Sequence, residues 1–434
     1  MNQEIFAKRR AKFLTKMEGG VAVIFAAPHA TRNADSHYKY RTDSSFYYLT
    51  GFTEPGAIAV FAPDTEAPYR IFVPPKDPLR ETWDGKRLGV DAAKGELKAD
   101  VAYSNADFDR IFRELLKRAG KLHYHIGNFP EQDQRMLSYV SEFTPRVRDG
   151  EKAIRAIMSA GAVIGEMRKV KDALDLDIMR KNCQNSARAH SEAMQFTRPG
   201  MFEYQVEAKI NQSFVDGGAE TLAYTSIIAA GNNATVLHYV SNRDKMNDGD
   251  LLLIDAGGEM NCYASDITRT FPVNGKFTAP QKRVYDIVLQ AQLAAIAVAK
   301  PGIQYSEMHR RATEVLVEGL LDLGILKGNR DDIIRAKTHM KFYPHGTGHW
   351  LGLDVHDSGT YFTDDGNSIL LEPGHVMTVE PGLYFTKEDQ SVPEEYRGIG
   401  IRIEDDVLIT EKGNEIMTAD VVKETRDIEN LMGR

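Results

Sequence analysis

Five polar residues in the C-terminal half of the 434-residue chain stand where a fold tolerates them only with a counter-charge. Asp255, Asp266, His349, Glu380 and Glu404 each sit at the end of an apolar, strand-like run: LLLIDAGG, ASDITRTF, HGTGHWLGLDVHD, VMTVEPGLYF and GIGIRIEDDVLIT. A carboxylate that follows three or four buried aliphatic residues is costly to desolvate unless a cation neutralises it. One such residue is compatible with a buried ion pair, but four in one domain point to metal. Oxygen-rich donor sets with a single imidazole suit hard or borderline divalent ions, whereas zinc leans on His and Cys. Four carboxylates balance two dications, so the expectation is a dinuclear centre, with Mn²⁺ favoured. Asp255 and Asp266 are separated by the turn formers Gly257, Gly258 and Asn261, so a hairpin brings both to one face.

The chain exceeds one ordinary core, and two unequal domains are expected, at 1–165 and 166–434. Hydrophobic residues at 42% and charged residues at 27% are those of a soluble globular protein. A net charge of −8 leaves no basic footprint, which argues against nucleic acid as a partner. The N-terminal MNQEIFAKRRAKFLTKM reads as an amphipathic helix and lacks the apolar core of a signal peptide. The early run VAVIFAAP is too short to span a bilayer, so the expectation is a cytoplasmic protein with no membrane contact. Cys183 and Cys262 form no disulfide framework, and Cys262 reads as a turn residue.

Aliphatic runs at 21–27, 58–62, 69–73 and 122–126 alternate with helical segments, which predicts an α/β first domain. Residues 166–197 contain neither Pro nor Gly and read as one helix joining the halves. Arg198-Pro199-Gly200 ends it, and a helical pattern resumes over 202–216. From Tyr224 onward strands dominate, interrupted by helices at 279–300 and 306–323.

The stretches IDAGGEMNCYASDITRTFPV, HGTGHWLGLDVHD, TVEPGLY and GIRIEDD resemble the pita-bread metallopeptidases, and within them the Xaa-Pro aminopeptidases (aminopeptidase P). The resemblance extends through EMRKVKDALDLDIMRKN, RPGMFEYQVE and VLHY, and into the first domain through YRTDSSFYYLTGFTEPGA and ETWDGKRLGVDAA. It implies a creatinase-like α/β N-terminal domain and an α+β pita-bread catalytic domain built of two related halves. It further implies an exopeptidase that releases the first residue of peptides with proline second, by attack of a hydroxide bridging two metal ions. Asp266 and Glu404 would be shared by both ions, Asp255 would complete one, and His349 and Glu380 the other. Glu380 would relay the proton to the leaving nitrogen, His356 and His238 would stand beside the scissile bond, and His345, Tyr384 and Arg402 would receive the proline ring.

The residues themselves leave alternatives open. His238 and His356 also read as core histidines bonded to carbonyls. His356 lies seven positions after His349, on the opposite face of a regular strand, unless a turn at Gly352 restores the facing. Arg402, two positions before Glu404, shares its strand face and reads as an orienter of a ligand carboxylate or a substrate contact. The resemblance places Asp35 near the active site and Trp83 over a neighbouring subunit's pocket in a homo-oligomer, although Trp83 reads equally well as core packing. Prolidase, creatinase-like enzymes without metal and non-catalytic binding modules are the rival readings; the complete ligand set and the first-domain match argue against all three.

Overall fold

The computed structural model describes residues 2–143 and 154–433. They divide into two compact units, Met1–Arg168 and Lys169–Arg434. The first unit is built on a six-stranded sheet in the order Val101–Ser104, Tyr69–Val73, Ile58–Phe61, Val21–Phe25, Lys121–His123, Ala156–Met158. Val21–Phe25 is buried along its whole length, as a continuous apolar run predicts for a strand covered on both faces. It pairs antiparallel with Ile58–Phe61 and parallel with Lys121–His123. Phe108, Phe112 and Leu116, spaced by four on one helix face, cover the sheet together with Met136, Tyr139 and Phe143.

The N-terminal helix Gln3–Lys16 is capped by Asn2 and buries Phe6 and Phe13, but also Arg9 and Arg10. Both arginines are satisfied at the C-terminal end of the helix Ser44–Thr50, where Arg9 donates to Tyr48 O and Arg10 to Leu49 O. Trp83 is 86% exposed on the helix Pro78–Asp84, which buries none of its residues, so core packing is excluded for it. Asp35 lies in the exposed turn between Thr31–Asn33 and Ser36–His37.

The single helix expected over 166–197 is two, Ala160–Lys169 and Ala173–Phe196. Composition permitted continuity, but Asp172 instead caps the second helix, accepting from the backbone of Leu174 and Asp175. The break is also pinned from outside by Lys171 N donating to Gly374 O.

In the second unit, the strand Leu251–Ala256 is flanked antiparallel by Ile227–Ala230 and Ile267–Pro272. A second sheet comprises Val376–Val379, Asp405–Thr410 and Gly413–Ile416, and a two-stranded ribbon pairs Gly382–Phe385 with Ile399–Arg402. Helices Ala173–Phe196, Glu203–Asp216, Ala279–Val298 and Ser306–Asp322 pack on one apolar core that includes Ile254, Ile267, Trp350, Val379 and Ile403. With a third small sheet of Tyr263–Ala264, Gly258–Met260 and Thr221–Leu222, this mixed α/β arrangement backed by helices is the pita-bread fold.

Two strand expectations fail. Asp266 does not end a strand but precedes one, Ile267–Pro272. Residues 345–357 form no strand, and Trp350 makes only an isolated bridge to Met377. Here the chain folds on itself, with Asp357 N bonded to Trp350 O and Gly352 N to Asp354 O. Gly348 is required by close approach, since a Cβ there would lie 2.0 Å from Thr378 O. No described helix is long and apolar enough to cross a membrane.

Candidate metal centre

Strand pairing begins the site. Asp255 faces Ile227 on one side and Thr268 on the other, near the open end of the sheet. Thr268 Oγ1 in turn donates to Glu404 Oε2 at 2.6 Å. Glu404 follows the strand Ile399–Arg402 and Glu380 follows Val376–Val379, so the ends of both sheets deliver carboxylates to one cavity of ≈ 450 Å³. Asp255, Asp266, His349, Glu380, Glu404, His238, His345, His356 and Arg402 all line it. Tyr384 stands behind this wall, its hydroxyl 2.8 Å from His345 Nε2 and 3.1 Å from Arg402 Nη1.

One donor atom each from Asp266, His349 and Glu404 lies within 4.8 Å of the others. His349 Nε2 is 3.5 Å from Asp266 Oδ2 and 3.7 Å from Glu380 Oε1. Its Nδ1 lies 3.0 Å from Trp350 O. A carbonyl only accepts, so Nδ1 carries the proton and Nε2 is left to the cavity. Thr378 Oγ1 accepts from His349 N at 3.0 Å, and Glu380 N donates to Thr347 O at 2.7 Å. Asp255 is held by Arg402 Nη2 at 2.6 Å on Oδ2 and by the Tyr224 hydroxyl at 2.7 Å on Oδ1. The same hydroxyl also contacts Asp266. The carboxylate that Arg402 grips is therefore Asp255 across the cavity.

Charge in the cavity is unbalanced. Burial first, and then the neighbouring carboxylates, push Asp266 up, Glu404 well up and Glu380 to about 7. Burial opposes a proton on His349, yet the hydrogen bond to Asp266 and the fields of Asp266 and Glu380 raise it to about 9. Arg402 stays firmly charged against burial because Tyr384, Asp255 and Glu404 surround it. Four carboxylates thus face one arginine and the raised imidazole of His349 in one cavity. Four oxygen donors and one nitrogen fit two hard or borderline dications, which would remove the surplus.

The histidines separate by environment. His238 sits in an exposed turn and His356 is exposed at the cavity wall, so neither is a core histidine. The His356 ring lies 4.4 Å from that of His349, edge to face. The folding-back of residues 350–357 restores the facing that strand parity forbids. His345 is half-buried; burial and Arg402 push it down to about 4, so it faces the cavity neutral. Tyr224, Thr268 and Thr378 carry no motif. Tyr224 lies three residues before Ile227, the partner of Asp255, and only that pairing reveals its position.

A pita-bread fold whose sheet ends converge on such a donor set defines a metallopeptidase. Residues 177–411 match metallopeptidase family M24, and residues 6–124 match the aminopeptidase P N-terminal domain. The chain is 43% identical to the Xaa-Pro aminopeptidase of Escherichia coli (strain K12), covering 100% of this chain and 98% of that protein. It is 33% identical to Xaa-Pro aminopeptidase 3 of Homo sapiens, over 99% of this chain and 86% of the relative. Among solved structures, Pseudomonas aeruginosa aminopeptidase PepP superposes with a TM-score of 0.96 at 42% identity, covering 100% of this chain and 98% of that one. Zn-substituted E. coli aminopeptidase P in complex with product gives a TM-score of 0.95 at 42% identity, with 100% and 98% covered. The chain belongs to the M24 metallopeptidase family.

Proposed function

We propose that this protein is a metal-dependent Xaa-Pro aminopeptidase that hydrolyses the first peptide bond of chains with proline second. The observation that carries the reading is the convergence of the surplus-charge donor set with His238, His345 and His356 in one cavity. Relatives named Xaa-Pro aminopeptidase match along both units, which supports it over prolidase.

Asp255, Asp266, His349, Glu380 and Glu404 would hold two divalent ions, and Mn²⁺ is the ion proposed. Bound there, the ions supply Lewis acidity, activating water near neutral pH and polarising the scissile carbonyl. Everything else falls to the side chains. Arg402 and Tyr224 fix Asp255, whose acidic end of the cavity attracts the free amine and sets the first peptide bond at the reacting position. Glu380, a carboxylate lining the cavity, would take a proton and pass it to the proline nitrogen. His356 and His238 donate to the developing oxyanion, an effect of about 3–4 kcal/mol for one well-placed donor. His345, held by Tyr384, offers a neutral ring against which the proline packs. A homo-oligomer belongs to the same proposal, supported by Leu79 and Trp83, exposed four residues apart on one helix face.

The test is hydrolysis of a Xaa-Pro-Xaa tripeptide, the matching Xaa-Pro dipeptide and a proline-free control by chelator-stripped protein, with and without Mn²⁺. Metal-dependent release of the first residue from the tripeptide is expected. Cleavage of the dipeptide alone makes the protein a prolidase, and inactivity on all three overturns the catalytic reading.

A further inference from the structure

The exposed turn that carries His238 is tied down by a carboxylate outside the metal centre. Glu203, the first residue of the helix Glu203–Asp216, is fully buried. Its Oε1 accepts from Ala230 N at 2.8 Å and Asn233 Nδ2 at 3.0 Å. Its Oε2 accepts from Tyr239 OH at 2.9 Å and Asp244 N at 2.9 Å. The four donors are neutral and lie before, within and at the end of residues 231–244. A buried carboxylate is tolerable when hydrogen bonds fill its lone pairs, and here they do so by drawing both ends of one loop onto a single group. Glu203 N adds a bond to Asp244 O.

Other contacts seat the same loop. Asn242, buried at φ +50°, accepts from Ile228 N at 3.1 Å and donates to Ser226 O at 2.9 Å. Ala234 O lies so close to the strand Ile399–Arg402 that a Cβ on Gly400 would be 2.2 Å away. That strand carries Arg402, and Gly400 itself pairs with Tyr384. Between these anchors Val236, His238 and Val240 are exposed, with His238 and Val240 lining the cavity. The residue next to His238, Tyr239, is the one that reaches down to Glu203.

We propose that Glu203 is a positioning residue for His238: its carboxylate fixes the loop so that the imidazole is already aimed at the reacting carbonyl before substrate arrives. The inference rests on the proposed role of His238 at that carbonyl. Substituting Gln keeps the size but places an NH₂ opposite donors that need an acceptor.

The experiment is a double-mutant cycle on the Mn²⁺-loaded enzyme with a Xaa-Pro-Xaa tripeptide, using Glu203→Gln, His238→Ala and both together. His238→Ala should lower kcat by about 10²–10³-fold, the loss typical of one oxyanion donor. Glu203→Gln should lower kcat by about 10-fold or more with KM nearly unchanged and both ions retained by elemental analysis, a loss like that of other supporting hydrogen bonds. The double variant should match His238→Ala alone. Hydrogen exchange should show faster amide exchange at Ala230 and Asp244 in Glu203→Gln. If that variant does not fold, Tyr239→Phe removes one donor and should cost about five-fold in kcat, the worth of one neutral hydrogen bond. Losses that multiply in the double variant, ions lost with the glutamate, or an unchanged kcat in Glu203→Gln overturn the proposal. Full activity in His238→Ala overturns the role of His238 itself, an outcome the cycle separates from the others.

Discussion

Glu404 and Asp405 are adjacent acids, both buried, and they meet opposite fates. Asp405 receives Arg269 Nη2 at 2.7 Å, Lys423 Nζ at 2.6 Å, Gln292 Nε2 at 2.9 Å and Thr418 Oγ1 at 2.8 Å. Burial pushes its carboxyl up, but Arg269 and Lys423 outweigh that and hold it below the ordinary range. Glu404 points into the cavity, where it receives the Thr268 hydroxyl and faces Asp266, Glu380 and Asp255; burial and those three push it well up. A carboxylate balanced by the chain's own cations is a structural strut. One left unbalanced in equal burial reserves its place for a cation from outside. The two are coupled, because Arg269 also donates to the carbonyl oxygen of Glu404. The strut thereby fixes the backbone of the ligand.

The contrast can be broken by experiment. The largest effect should come from Asp405→Ala, which strands Arg269 in the core and should destabilise the metal-free protein by about 3–5 kcal/mol in urea unfolding. Glu404→Gln, which relieves repulsion, should leave the metal-free protein as stable as the wild type or more so; a comparable loss in both variants would erase the distinction. Next in size is the response to metal. At about 100 times its Kd, Mn²⁺ should raise wild-type stability by about 2.7 kcal/mol per site, followed as a shift of the urea midpoint, and Glu404→Gln should forfeit most of the gain.

A third effect is in pH. Glu380 is held up to about 7 from an ordinary value of 4.5, so between those values the folded, metal-free chain keeps a proton that the unfolded chain has released. Its contribution to stability is complete below about 4.5 and is lost as the pH rises through about 7. Asp405 behaves oppositely: its contribution stands above the ordinary 3.8 and is lost as the pH falls through its lowered value. Unfolding of metal-free protein across pH 4 to 8 should show the downward slope; Mn²⁺ should flatten it, and Glu380→Gln should only reduce it, because Asp266, Glu404 and His349 are raised as well.

Much of this was readable in advance. Asp255, Glu380 and Glu404 announce themselves because each closes or follows an apolar run whose strand then forms, and the first-domain strands fall where their aliphatic runs do. The segment carrying His349 and His356 reads as a strand because its aliphatic residues suggest one, and it forms none. Its shape instead comes from backbone contacts such as Gly348 against Thr378, which local pattern does not encode. The helix break at Lys171 hid for the converse reason. Helix formers fill the segment, and the interruption depends on Gly374, two hundred residues away in the chain. Tyr224 and Thr268 were invisible because strand register, not spacing, carries them to the ligands. Trp83, exposed on a helix that buries none of its residues, shows the limit of composition: an aromatic residue does not by itself locate the core.

The alternation at Glu404 and Asp405 has a consequence for how such a sequence can drift. Because neighbouring residues serve opposite surroundings, deleting or inserting one residue between Arg402 and Asp406 would carry a strut into the cavity and a ligand onto Arg269, disabling the centre and the core together. Over generations this short segment should accept exchanges of its aliphatic side chains far more readily than any change in its length.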